Sequence, residues 1–198
     1  MTKRRRVATQ RDIDKLQTQQ RIVDSALELF ETTGYETTSM VRIARSAETS
    51  RANLYLHFTS KSQIVLHRMR QLETEVLGLY DGLDHVEPTV DDVVTWLEEA
   101  ARLWKSHRAE FDAISRAMTV DTEVFAEWLE LHRRISQTKA AALIGSRSDV
   151  DRDQWEAHLI TLMIGLEHNF YYLYVRGQSI PERLILRSLA EQWAAFLG

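Results

Sequence analysis

Apolar residues recur at helical spacing along almost all of this 198-residue chain, and no stretch keeps the strict apolar–polar alternation of a strand. Only 2 prolines and 7 glycines punctuate the pattern, so helices can run long and turns are few. The fold class that follows is all-α, with about nine helices. Hydrophobic residues at 44% and charged residues at 27% give an ordinary globular balance, and this length can bury a substantial core. Cysteine is absent, which excludes disulfides, thiol catalysis and thiolate metal sites and suits a reducing, cytoplasmic setting.

Local signals place the helices. The first should run from about Thr18 to Thr33, with Ile22, Ala26, Leu29 and Phe30 on one face and Gly34 as its stop. A second opens at Thr38 or Ser39 and turns Met40, Ile43, Ala44 and Ala47 inward. A third follows Ser50 and buries Leu54 and Phe58. Ser60-Lys61-Ser62-Gln63 has capping-box spacing and opens a long fourth helix, broken by His85-Val86-Glu87-Pro88. A fifth covers about Thr89 to Ser106, and two more carry Phe111 to Met118 and Val124 to Ile135. An eighth spans about Val150 to Arg176 and stops at Gly177. Ser179-Ile180-Pro181-Glu182 repeats the capping-box pattern ahead of a ninth. The greasiest run, Leu159 to Val175, contains Glu167, His168 and Asn169, so it reads as a buried helix and not a membrane span. Met1 to Arg6 is basic without an apolar stretch behind it, unlike a secretory signal.

The chemistry concentrates between Thr38 and Lys61, where two short helices meet at a tight turn. A helix entering the major groove of duplex DNA needs polar side chains at its leading end and an apolar back. Arg51 can donate twice to guanine, Asn53 can pair with adenine or a phosphate, and Ala52 can touch a thymine methyl. Tyr55, His57 and Lys61 place donors where sugar-phosphate strands would flank the helix, and Thr38 offers another phosphate site. The charge distribution agrees. Residues 1–61 hold 11 Lys+Arg against 7 Asp+Glu, whereas the other 137 hold 14 against 22, a basic head on an acidic body.

Arg21-Ile22-x3-Ala26-x2-Leu29-Phe30-x3-Gly34-Tyr35, Thr38-Ser39-x3-Ile43-Ala44-x2-Ala47 and Ser50-x3-Leu54-Tyr55-x2-Phe58-x2-Lys61 together resemble the amino-terminal signature of the TetR family. Those are bacterial one-component transcriptional regulators, mostly repressors. The resemblance implies that Arg51, Ala52, Asn53 and Leu56 face bases, and that Thr38, Tyr55, His57 and Lys61 meet backbone phosphates. It divides the chain into a basic arm (1–17), a helix-turn-helix domain (18–62) and a ligand-binding and dimerisation body (63–198). Lys3, Arg4, Arg5 and Arg6 suit either an arm reaching into a minor groove or a solvated tail. The turn departs from the pattern. Glu48-Thr49 stand where the family usually has glycine and an aliphatic residue, and a left-handed Glu costs roughly 1–2 kcal/mol, so a different path through the turn is expected.

The eighth helix is apolar on more than one face, and the ninth carries Leu184, Leu186, Leu189, Trp193 and Phe196. The resemblance implies that these two pair across a two-fold axis into a homodimer, with a palindromic operator as the DNA partner. It also implies a small-molecule effector among the fourth to eighth helices. Candidate lining residues are Trp96, Trp104, Phe111, Met118, Phe125, Trp128, His132, Met163, Glu167 and Phe170, with His168 and Asn169 as further polar groups. Such a lining favours a largely apolar ligand with one polar end. No His/carboxylate spacing marks a metal site, and no motif marks a cofactor, nucleophile or phosphate loop, so an enzyme is not indicated. The rival reading is an all-helical small-molecule carrier with weak or vestigial DNA binding.

Overall fold

The computed structural model describes residues 9–145, 150–177 and 179–198. Lys3 to Arg6, and most of the loop expected at Gly145 to Asp149, lie outside them. Within them run α1 (Gln10–Thr33), α2 (Met40–Ser46), α3 (Arg51–His57), α4 (Lys61–Gly82), α5 (Val90–Ser106), α6 (Arg108–Met118), α7 (Thr122–Leu143), α8 (Arg152–Phe170) and α9 (Glu182–Leu197). A 3-10 turn (Leu83–His85) follows α4, and a π-helical stretch (Tyr171–Val175) prolongs α8.

Side-chain caps set most of the starts. Ser39, Ser50 and Ser60 each accept a hydrogen bond from the backbone N–H three residues on, satisfying a donor the helix leaves free. Two starts differ from the sequence reading. Helix α1 begins at Gln10, not Thr18, because Thr9 and Asp12 form a reciprocal capping box. Its extra turns carry Ile13 and Leu16 outward, so no apolar face announced them, and Arg11 sits on a helix and not on an extended arm. At α9 the Ser179 box does not form. Pro181 holds the cap position without a side-chain bond, and Glu182 pairs instead with Lys105 Nζ at 2.8 Å.

Two apolar clusters result. The first joins α1, α2 and α3 to the start of α4 and to α6, through Ile22, Phe30, Ile43, Leu54, Ile64 and Ile114. The second joins the end of α4 to α5, α7, α8 and α9, through Tyr80, Trp96, Trp104, Leu159, Phe170 and Trp193. Phe111 packs on both and stacks on Trp104 with ring centroids 4.1 Å apart. The head is therefore packed onto the body across α6 as well as continued into it by α4.

The turn between α2 and α3 keeps the left-handed path despite its sequence. Glu48 takes φ 49°, the one positive-φ residue other than glycine among the described residues. The expected detour does not occur. Anchoring by Ala47 N–H to Ile43 O (2.9 Å) and Thr49 N–H to Ala44 O (3.0 Å) overrides the local preference. Glu48→Gly should accordingly raise stability by about 1 kcal/mol, the relief of strain less the entropy that glycine adds to the unfolded chain. A urea midpoint unchanged or lowered would count against strain at this residue.

Candidate DNA-binding surface and body cavity

Helix α3 has the two sides that groove binding requires. Leu54 and the following Phe58 are buried, while Arg51, Ala52, Tyr55 and Leu56 are exposed. Leu56 stands 81% exposed, more than any other large apolar side chain among the described residues, and such a group gains nothing there unless something covers it. The Arg51 guanidinium lies 5.6 Å from the centre of the Tyr55 ring, a cation–π contact that holds both on the same face.

The other expected DNA-contacting residues are more tied down. Asn53 Nδ2 donates to Thr49 Oγ1 at 2.8 Å, which fixes the amide and leaves its carbonyl oxygen for a partner. His57 is half-buried with Nδ1 unpartnered, and burial together with Lys15 lowers its pKa, so the ring is held neutral. Lys61 Nζ donates to the carbonyls of Tyr35 and Glu36 and lies 4.5 Å from the Tyr35 ring centre. Burial lowers its pKa against the opposing pull of Glu36 and Asp121. Thr38 is 2% exposed, and its hydroxyl donates to Gly34 O at 2.7 Å. Its side chain is turned inward as a structural strut.

The body contains a chamber of about 580 Å³ between the α1–α2 loop, α6, and the end of α8 with its π stretch. A smaller cavity of about 50 Å³ lies deeper, against α4. Trp104, Met118, Trp128 and Glu167 border both, and Phe111 and His132 border the inner one. The remaining candidates are elsewhere. Trp96 is core, tilted on Trp193 at 4.8 Å with its indole N–H on Leu79 O. Met163 and Phe170 are wholly buried in the second cluster, and Phe125 is 47% exposed on the outer side of α7. Their apolar character was legible from sequence; which face of a long helix each occupies was not.

Sequence reasoning missed the chamber's polar wall. Arg116 Nε donates to both carboxylate oxygens of Asp112 at 2.9 Å, and Tyr171 O–H adds a second donor at 3.3 Å. The spacing of Asp112 and Arg116, one helical turn apart, was the available signal. Tyr171 and Tyr172, in the π stretch, also line the chamber.

At the chamber floor, Trp128 Nε1 donates to Glu167 Oε2 at 2.9 Å, and His132 Nε2 lies 3.1 Å from Glu167 Oε1 without hydrogen-bond alignment. His132 Nδ1 is 2.9 Å from the Trp128 carbonyl, which can only accept, so that nitrogen carries hydrogen. The carboxylate facing Nε2 then favours a second proton. Burial disfavours the resulting charge, but Glu167 and the carbonyl outweigh it and raise the His132 pKa. An imidazolium behind a carboxylate is the state this arrangement stabilises.

These features define a helix-turn-helix DNA-binding protein with a cavity in its body. Residues 22–67 match the family model described as bacterial regulatory proteins, tetR family. The head domain thus matches that family, and the fold of the whole chain is similar to those of solved structures described as its transcriptional regulators. Salmonella enterica GusR superposes with a TM-score of 0.66 at 20% identity, covering 92% of this chain and 96% of that one. The TetR family transcriptional regulator PfmR of Thermus thermophilus gives 0.61 at 20% identity, covering 94% and 96%. The fatty acid degradation regulator FadR of Bacillus halodurans gives 0.63 at 12% identity, covering 91% and 95%. No curated protein sequence matches the chain. No described helix is long and apolar enough to cross a membrane.

Proposed function

We propose that this chain is a ligand-responsive repressor that binds a palindromic operator as a homodimer and is released by a small, largely apolar effector. The observation that carries the reading is the face of α3, where Arg51, Ala52, Tyr55 and Leu56 are exposed over a buried Leu54. Arg51, Ala52, Asn53 and Leu56 would read bases, and Tyr55, His57 and Lys61 would meet phosphates. Pairing is supported by the uncovered side of the last two helices. Ala157, Thr161, Ile164, His168 and Tyr172 are exposed at three- and four-residue spacing along α8 and its extension, with Ile180 and Leu184 exposed nearby. A two-fold pairing there would set the recognition helices about one DNA turn, ~34–36 Å, apart. Operation in the cytoplasm follows from the DNA target.

Selection of sites from random duplex DNA at near-physiological salt tests this directly. The expected result is an imperfect palindrome with half-sites one turn apart. Arg51→Ala should weaken binding to it by about 1–3 kcal/mol, on the order of 10- to 100-fold, with helicity unchanged. Sequence-blind binding that fades with salt and ignores Arg51 would overturn the proposal.

A further inference from the structure

The two cavities differ in what they can hold. About 50 Å³ has room for little more than a water or two, whereas about 580 Å³ lies within the range of roughly 300–1,000 Å³ typical of ligand sites. The larger one is walled on one side by the DNA-binding head itself, through Thr33 to Thr37 of the α1–α2 loop. Resting on the regulator reading above, we infer that this chamber is the effector site, that it takes an aromatic ligand ending in a hydrogen-bond donor or amine held by Glu167, and that occupancy acts on the head through the α1–α2 loop.

The ligand class follows from charge and acceptor capacity. Glu167 is 25% exposed at its side chain and spends one oxygen on each of Trp128 and His132. A carboxylate has about four lone-pair sites, so acceptor capacity remains for a donor in the chamber. The charge of Arg116 is balanced by Asp112, both of whose oxygens accept from its Nε, and only its terminal N–H groups keep donor capacity. Glu36 adds a second carboxylate at the mouth. A carboxylate ligand would meet two acids here, and an amine would meet two partners. The aromatic body is matched by Trp104, Trp128 and Tyr171, whose faces attract both rings and cations.

The route to the head is short. Gly34 O accepts from both the amide (3.2 Å) and the hydroxyl (2.7 Å) of Thr38, the residue that precedes the cap of α2. The carbonyls of Tyr35 and Glu36 accept from Lys61, the first residue of α4. The wall of the chamber thus fixes the starts of two of the head's helices. A ligand that presses on this loop has a path to the DNA surface that does not require α4 to tilt.

Calorimetric titration of the full chain with naphthylethylamine and with naphthylacetic acid tests the class, since the two share a ring and differ in the charge of the end group. The amine should bind at least about tenfold more tightly, and Glu167→Gln should remove most of that preference. Thr119→Trp, at the exposed rim of the chamber, should block the amine without disturbing the Glu167–His132 pair. No binding of the amine, equal binding of the acid, or indifference to both variants would overturn the site and its ligand class. Amide hydrogen exchange at Tyr35 to Thr38 should change at least about threefold when the amine is bound, and unchanged exchange would overturn the route to the head. If DNA selection yields no operator while the amine still binds in a Glu167-dependent way, the regulator reading fails and the site stands.

Discussion

Phe30→Ala should destabilise the protein by about 3–5 kcal/mol and abolish operator binding near physiological temperature. The Phe30 ring is 1% exposed, sits in the cluster that joins the head to α6, and meets Tyr35 edge-on with centroids 4.9 Å apart. Removing it leaves a cavity among Ile22, Ala26 and Ile43, short or branched side chains that cannot collapse far into the space. The consequence extends beyond stability because of what Tyr35 does. Its carbonyl holds Lys61, its ring lies beneath the Lys61 ammonium, and its burial pushes the phenol pKa up to about 12. Loosening Phe30 therefore frees the loop that fixes the starts of α2 and α4. Chemical denaturation followed by helicity should show a lower midpoint with a single transition, since one apolar cluster links head and body. A control at Leu16, 63% exposed on α1, should shift stability by no more than about 0.5 kcal/mol on truncation to alanine. A loss below about 1 kcal/mol for Phe30→Ala, or a separate early transition of the head, would show that the head is not anchored through α6.

Where the sequence was readable, a strong local rule agreed with the packing. The starts of α2, α3 and α4 follow from Ser39, Ser50 and Ser60, each three residues before the amide it caps. The buried backs of these helices follow from apolar spacing. Local rules failed where a distant partner outbid them. Glu48 is held left-handed by bonds that α2 supplies, and Glu182 leaves its capping box for Lys105, 77 residues away in sequence. At the DNA surface the exposed residues of α3 were legible, but the inward turn of Thr38 was not. It depends on Gly34, whose φ of 98° presents its carbonyl to the Thr38 hydroxyl. The cavity was least legible. Trp104 and Trp128 face it while Trp96 and Phe170 fill the core, and composition treats all four alike. Only the relative rotation of α5, α7 and α8 separates them.

Lys139→Ala should cost about 2–4 kcal/mol, more than Lys139→Met, and the reason bears on how α4 can move. The Lys139 side chain is 3% exposed in the middle of the body, and its Nζ reaches Asp81 at 3.0 Å and Asp84 at 3.0 Å. Asp81 ends α4 and Asp84 lies in the 3-10 turn behind it, so one ammonium on α7 pins the far end of the helix that Lys61 begins. Alanine leaves two carboxylates facing each other over a hole. The cost falls short of a fully buried pair because Asp81 is 69% and Asp84 32% exposed and both can turn toward water. Methionine keeps the packing of the stem and removes the charge, so it should lose roughly half as much. A double-mutant cycle with Asp84→Asn should give a coupling energy above about 1 kcal/mol. Near-zero coupling would mean the ammonium is held by packing alone. With the far end of α4 fixed in this way, a bound ligand can shift that helix only by swinging its near end. There Lys61 is held by the same α1–α2 loop that walls the chamber, so pinning by Lys139 confines any response to the side of the molecule that meets DNA.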